Sequence, residues 1–222
     1  MLFTLSSHQS SNDKSAGHIR QRNETLILEA ATYEFATSGF KGASMGNIAQ
    51  RAGLPKANVH YYFKNKIGLY IAVLTDVLEL WDSTLSTFSK DDDPAERLAA
   101  YIKKKIEFSR DHSQASRIFA IEIASGAPNI IEYFGKDYQR WFKERTDVIQ
   151  SWIDQEKMQP IDPHHLLFLL WSSTQHYADF SVQAAAALGK KKLAQKDYQR
   201  ATDTLTQIIL QGCGLTPPKK KG

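Results

Sequence analysis

The chain has 222 residues, 42% of them hydrophobic, and a formal net charge of +4 at pH 7. This length and composition suit one compact unit or two small ones with a real hydrophobic core. The single cysteine, Cys213, excludes a disulfide framework and a cysteine-based zinc site, and it fits a reducing, cytoplasmic setting. We expect no signal peptide and no membrane partner, because no apolar run is long enough to span a bilayer.

The N-terminal residues are polar and rich in serine, so we expect residues 1–17 to form a flexible arm. Basic residues follow at His18, Arg20 and Arg22. Residues 23–38 carry apolar side chains at helical spacing, which predicts a first helix that ends at Gly39.

Residues 44–66 have the pattern of two short helices joined by a tight turn. Ser44 is suited to cap the first helix, and Gly53 is suited to end it. Pro55 then fixes the backbone near the start of a second helix, which we expect over residues 56–63. This is the plan of a helix-turn-helix, which lays its second helix in the major groove of DNA.

The charge of this region supports the same interpretation. Between Phe35 and Thr75 there is no Asp or Glu, but there are five basic residues, Lys41, Arg51, Lys56, Lys64 and Lys66. Such a segment is typical of a surface that faces phosphates. The alternative is a small helical subdomain with a solvated basic face. The basic residues before the first helix, His18, Arg20 and Arg22, would either contact the DNA or only keep the arm soluble.

The rest of the chain is predicted to be helical, which makes the fold all-α. A long amphipathic helix begins at Lys66, passes Trp81 and frays near Ser89. Further helices are expected over residues 95–110, with Lys103, Lys104 and Lys105 on an outer face, and over residues 114–125, 129–157, 162–188 and 197–211. We therefore divide the chain into the arm, a DNA-binding domain (18–66), a helical body (67–212) and a flexible tail (213–222).

From about residue 23 to residue 66 the chain resembles the TetR family of bacterial transcriptional repressors. The pattern that carries the resemblance is Ala30, Phe35, Gly39-Phe40, Ser44, Ile48-Ala49, Ala52-Gly53, Tyr61-Tyr62-Phe63 and Lys66-Ile67-Gly68-Leu69. Three segments of the body, residues 70–81, 109–128 and 160–180, are similar to the pyrimidine-responsive member of that family. The resemblance covers roughly residues 23–212.

Seven residues are candidates for DNA contact. Lys56, Asn58 and His60 are best placed to reach base edges or phosphates. The resemblance implies phosphate contacts for Ser44, Tyr61, Tyr62 and Lys66. Because one short helix reads few bases, we expect a homodimer on palindromic double-stranded operator DNA.

The dimer surface is expected on the last two long helices, which are more apolar than one buried stripe requires. The residues concerned are Phe180, Val182, Ala184, Ala185, Ala187, Leu205, Ile208, Ile209 and Leu210. The alternative is that these side chains belong to the core of one subunit.

Trp171 and Gln175 lie four residues apart, on one helical face. A carboxamide complements the imide edge of a uracil-like ring, and an indole offers a stacking surface. The residues alone leave a purely structural role open. The resemblance implies ligand contact for both and for Trp81, with uracil, thymine or an unrelated small apolar or aromatic molecule as the effector.

An enzyme and an architectural DNA-binding protein are the remaining alternatives. The clustered candidates for chemistry, His164, His165, His176 and Asp179, match no metal or catalytic motif. We predict no catalytic residue, no metal and no cofactor. The basic charge is localised in the first 66 residues rather than spread along the chain, which favours an operator-binding regulator, in the first instance a repressor released by its effector.

Overall fold

The computed structural model describes the backbone of residues 9–218 and the side chains of residues 17–218. This part of the chain is helical throughout and contains no β-strand, which confirms the all-α prediction. In chain order the helices are α1 (Gln9–Gly42), α2 (Met45–Ala52), α3 (Lys56–Tyr62), α4 (Lys66–Leu85), α5 (Pro94–Asp111), α6 (Ser113–Ala124), a 3-10 helix (Ile131–Phe134), α7 (Lys136–Asp154), α8 (Pro163–Asp179), α9 (Ser181–Ala187) and α10 (Gln195–Gly212).

The chain forms two compact units, and the boundary between them lies within α4, after Thr75. The sequence predicts this boundary at Lys66. Residues 9–17, which are predicted to belong to the flexible arm, are part of α1, and residues 1–8 lie outside the described part. The predicted tail, residues 213–222, also begins too early, because Cys213 is buried in the core and Leu215 packs against it.

The first unit is built around an aromatic cluster. The Phe35 ring lies 5.0 Å from the Tyr70 ring, and the Phe40 ring lies 4.8 Å from it, measured between centroids. Gly39 has φ 66° and ψ 173°, a conformation that is nearly restricted to glycine, and it interrupts α1 there. This break, at the predicted end of the helix, lets Phe40 join the cluster.

The core of the second unit is formed by α5, α7, α8 and α10. Trp152 of α7 is fully buried, and its indole N–H donates to the carbonyl of Ser89 at 3.0 Å. Helices α5 and α8 approach so closely that Ser109 Oγ donates to the Thr174 carbonyl at 2.9 Å. Both of these side chains are buried, so the hydrogen bond fixes the two helices in one register.

Two predicted helices are interrupted. The one expected over residues 129–157 is divided by Gly135 into the 3-10 helix and α7. The one expected over residues 162–188 breaks at Phe180, where α8 ends and α9 begins. Beside this break Asp179 accepts a 2.6 Å hydrogen bond from Ser116 of α6, a tertiary contact that helical periodicity does not reveal.

The turn between α2 and α3 follows the predicted chemistry. Ser44 Oγ caps α2 by accepting from the Asn47 N–H at 3.1 Å. Gly53 ends the helix in the left-handed conformation, with φ 67°. The Leu54 N–H then donates to the Ala49 carbonyl at 3.1 Å, and Pro55 precedes the first residue of α3.

We expect Gly53→Ala to destabilise the first unit by about 1 kcal/mol or more, because a Cβ is disfavoured in the left-handed region. Gly46→Ala is the matched control. Gly46 lies inside α2, and an added Cβ would meet its nearest neighbour, Ser44 Oγ, at 3.8 Å. The same substitution there should be neutral or stabilising. Thermal unfolding followed by circular dichroism measures both, and equal effects would contradict the role of the turn.

Candidate functional site

Helix α3 buries one apolar residue and leaves polar side chains accessible. Val59 is 0% exposed and packs into the first unit. Lys56 and His60, three residues before it and one after it, are exposed, and Asn58 is half-buried. Tyr61, at the end of the helix, is 74% exposed. The residues predicted to read bases therefore lie on a helix with an accessible face.

Three of the candidate residues make hydrogen bonds within the first unit that leave further hydrogen-bonding capacity. Ser44 Oγ accepts from α2, so its hydroxyl hydrogen can still be donated. His60 Nδ1 lies 3.3 Å from the Lys64 carbonyl, and Nε2 is a second hydrogen-bonding atom of the same ring. The Tyr62 hydroxyl accepts from Asn23 Nδ2 at 3.4 Å. Their contacts with DNA remain predictions.

Two basic residues of the acid-free segment have structural partners. Lys66 Nζ donates to the carbonyls of Lys41 and Ala43, at 3.3 and 3.0 Å. Arg51 forms a 2.8 Å ion pair with Glu34 and also covers a tyrosine ring. Both therefore tie helices of the first unit together, and a phosphate contact by Lys66 stays a prediction.

The second unit contains a cavity of about 270 Å³. Trp81 of α4 and Trp171 and Gln175 of α8 all line it, so the structure brings the three residues predicted for ligand contact together. Five further lining residues, four of them aromatic, come from segments that could not be matched from sequence: Phe119, Ile123, Phe134, Tyr138 and Trp141.

The two predicted tryptophans have fixed orientations. The Trp171 indole N–H donates to the Tyr101 hydroxyl at 3.0 Å. Burial raises the pKa of Tyr101 far above its usual value, so this phenol stays neutral. Trp81 makes an edge contact with Phe119, with ring centroids 5.0 Å apart. Because its N–H is already used, Trp171 offers a ligand a ring surface and no hydrogen bond.

Lys105 does not lie on the outer face of α5, which is the position predicted from the sequence. It is 2% exposed, lines the cavity, and has its Nζ 4.1 Å from the centroid of the Trp81 ring. Burial lowers its pKa to about 7, against the opposing pull of Asp179 and Asp82. The sequence contains one indication that Lys105 is buried. It follows Tyr101 by four residues and therefore lies on the same buried stripe of α5.

The acidic group Asp82 was also missed by sequence reasoning. It lies one residue after Trp81 and lines the cavity. Burial raises its pKa, and the Tyr133 hydroxyl, which donates to it at 3.3 Å, works in the opposite direction. Burial, together with the nearby Asp82 carboxylate, raises the pKa of Tyr133 to about 12. This hydrogen bond fastens the 3-10 helix to α4 beside the cavity.

The histidines do not form a reactive cluster. His164 is exposed, and its Nδ1 lies 3.1 Å from Asp162 at the start of α8. Neither His165 nor His176 belongs to the cavity lining. Among the described residues, no group of three or more His, Cys, Asp or Glu side chains could hold a metal ion.

No helix in the described part has the length and apolar character of a membrane span.

The predicted dimer surface divides into two groups. Ala185, Ile209 and Leu210 are buried within the subunit, so for them the interface prediction is wrong and the core alternative holds. Phe180, Val182 and Ile208 are exposed, at 56%, 77% and 61%. Three further apolar residues, Phe168, Leu169 and Leu188, are also exposed on α8 or just after α9.

Comparisons with known proteins match both units. The family described as "Bacterial regulatory proteins, tetR family" matches residues 27–73, and "YcdC-like protein, C-terminal region" matches residues 74–216. The chain is 39% identical over 186 residues to the HTH-type transcriptional regulator RutR of Escherichia coli K12, covering 84% of this chain and 88% of that protein.

Two solved structures share the fold at low sequence identity. A tetR-family regulatory protein from Rhodococcus RHA1 has a TM-score of 0.68 at 16% identity, covering 87% of this chain and 98% of its own. The regulator PfmR from Thermus thermophilus has a TM-score of 0.64, also at 16% identity, covering 83% and 97%. With both units accounted for, the chain belongs to the TetR family of helix-turn-helix transcriptional regulators.

Proposed function

We propose that this regulator is a cytoplasmic homodimeric repressor that leaves its operator when a pyrimidine base, uracil or thymine, enters the cavity of the second unit. The observation that carries the proposal is the convergence of Trp81, Trp171 and Gln175 on one cavity. It occurs in a chain 39% identical to RutR, and it involves residues first singled out by similarity to the pyrimidine-responsive member of the family.

On DNA, α3 would enter the major groove with Lys56, Asn58 and His60 towards the bases. Ser44, Tyr61, Tyr62 and Lys66 would hold the backbone. The exposed apolar side chains of α8, α9 and α10 would pair with those of a second copy, as helical interfaces of obligate dimers do. Two such units fit a palindromic operator.

Lys56→Ala should weaken operator binding roughly ten-fold or more. It should also reduce the slope of log affinity against log salt by about one unit per subunit, because each phosphate contact releases counterions. Lys103→Ala is the control, because it removes the same exposed charge from the second unit. Fluorescence anisotropy with labelled operator DNA at several salt concentrations measures both. Equal losses would indicate a general charge effect and contradict the assignment.

The cavity suits a small planar ring. Its volume of about 270 Å³ lies just below the usual range for drug-sized ligands. Trp81 and Trp171 provide aromatic surfaces, and the Gln175 carboxamide provides an adjacent donor and acceptor. A ligand of eight heavy atoms reaches micromolar affinity at about 1 kcal/mol per atom, near the efficient end of what small ligands achieve.

Gln175→Ala should weaken uracil and thymine binding by roughly ten-fold or more, because the imide edge of the ring would lose both partners inside a desolvated site. Isothermal titration calorimetry on purified protein measures this. Gln139→Ala is the control, since Gln139 is exposed on α7 next to a lining residue. Micromolar binding that survives Gln175→Ala would refute the assigned site, and absence of binding would refute the pyrimidine effector.

Coupling between the two functions would pass along α4. This helix carries Trp81 and begins at Lys66, whose ammonium group is fastened to the carbonyls of Lys41 and Ala43. A ligand that shifts Trp81 would therefore act on a helix anchored to the first unit. A coupling free energy of about 1–3 kcal/mol is sufficient for operator release.

Trp81→Ala should leave operator affinity nearly unchanged but reduce the release caused by uracil, because the ligand would lose its contact with α4. Release is measured by titrating uracil into the protein–operator complex. Ser83→Ala is the control on the same helix, since Ser83 is exposed and outside the cavity. Release by saturating uracil that is undiminished in Trp81→Ala would rule out this route of coupling.

A further inference from the structure

Lys105 is a buried lysine whose amino group has few partners in the subunit. Its side chain is 2% exposed. Among the described residues its amino group has no hydrogen-bond or ion-pair partner, and Asp179 and Asp82 act on it only through electrostatic attraction. The contact it does make is with the face of the Trp81 ring, 4.1 Å from the centroid. Withdrawing a lysine side chain from water without a hydrogen-bond partner for its amino group is costly, so a residue in this state is unusual in a core.

The neighbouring acidic groups are already engaged. Asp82 of α4 accepts from Tyr133, and Asp179 of α8 accepts from Ser116. Both attract Lys105 electrostatically, but neither reaches it as an ion pair within the described residues. The other titratable groups that line the cavity are phenols, Tyr101 on α5 and Tyr138 on α7, and burial raises the pKa of each.

Lys105 lines the cavity that Gln175, Trp81 and Trp171 also line. A lysine ammonium has three donors and no acceptor. The partner it lacks must therefore be an acceptor, and the empty volume beside it is where a bound molecule would supply one.

We propose that Lys105 anchors the effector by donating to an oxygen of its ring, and so restricts the effector to planar rings that carry a carbonyl or oxyanion opposite the edge bound by Gln175. This assignment rests on the proposed effector function of the cavity. It adds a specificity-determining residue and a ligand class, because ring compounds without an acceptor oxygen would leave the ammonium unsatisfied. Ring oxyanions would bind at least as well as neutral carbonyls.

An effector held by Lys105 should change the protonation of this residue when it binds. Burial lowers the pKa of Lys105 to about 7 in the free protein, so most molecules hold it neutral at pH 8. A ligand oxygen that accepts from the ammonium raises this pKa. Uracil binding at pH 8 should therefore take up a proton, and affinity should fall as pH rises from 7 towards 8.5, where uracil itself remains neutral.

The test is isothermal titration calorimetry of full-length protein with uracil, thymine and barbiturate, a ring oxyanion at this pH. Lys105→Met keeps the length of the side chain but removes the donors. We expect it to lose ten-fold or more in affinity for each ligand that the wild type binds. It should also lose the proton uptake, which is read from the dependence of binding enthalpy on the ionisation enthalpy of the buffer.

Lys103→Met is the matched control. It makes the same change two residues away on the exposed face of α5, and it should retain both affinity and proton uptake. A separate thermal unfolding experiment establishes that Lys105→Met is folded. Its unfolding temperature should be equal to or above that of the wild type, because the substitution removes a polar group that is withdrawn from water without a hydrogen-bond partner.

The outcomes separate the anchor from the proposed effector. Unchanged affinity and proton uptake in Lys105→Met would overturn the anchor and leave the pyrimidine effector intact. Lys105-dependent binding of barbiturate alone would support the anchor and overturn uracil and thymine. Failure of all three probes to bind the wild type would overturn both.

Discussion

The cavity depends on how α5 packs against α8. Two hydrogen bonds connect the helices, one from Ser109 to the Thr174 carbonyl and one from Trp171 to the Tyr101 hydroxyl. The first is buried and the second is partly buried, and in such surroundings an unsatisfied donor or acceptor costs more than it does at the surface. The two helices are therefore held in one register. That register places Lys105 opposite the α8 residues that line the same space.

The DNA-binding unit was largely predictable because its geometry is set by local chemistry. Ser44 caps α2, Gly53 supplies the left-handed residue, and the acid-free charge pattern lies within the same short stretch. Each of these signals acts over a few residues, so a single sequence displays them. The partners of Arg51 and Lys66 were not predictable in this way, since they lie on α1 or beside its end, at least 17 residues away in the chain.

The cavity residues that could be predicted are those for which the family resemblance implied ligand contact. Trp171 and Gln175 share a helical face, but spacing alone does not distinguish a wall of a cavity from a core. The lining residues from Phe119 to Trp141 lie on other helices. How those helices pack against α8 is set by tertiary contacts, which a single sequence does not reveal. Lys105 was misassigned because a run of three lysines is typical of a solvated face, whereas the buried stripe of α5 passes through its third member.

The distribution of tryptophan gives the protein an internal optical reporter. Of its four tryptophans, Trp81, Trp141 and Trp171 line the cavity, and Trp152 lies in the core. One of the three has a lysine ammonium over its ring, and another has its N–H held by a phenol. The ultraviolet emission of the subunit therefore originates mainly around one small space. The wavelength and intensity of this tryptophan emission report the polarity of the cavity without an added dye.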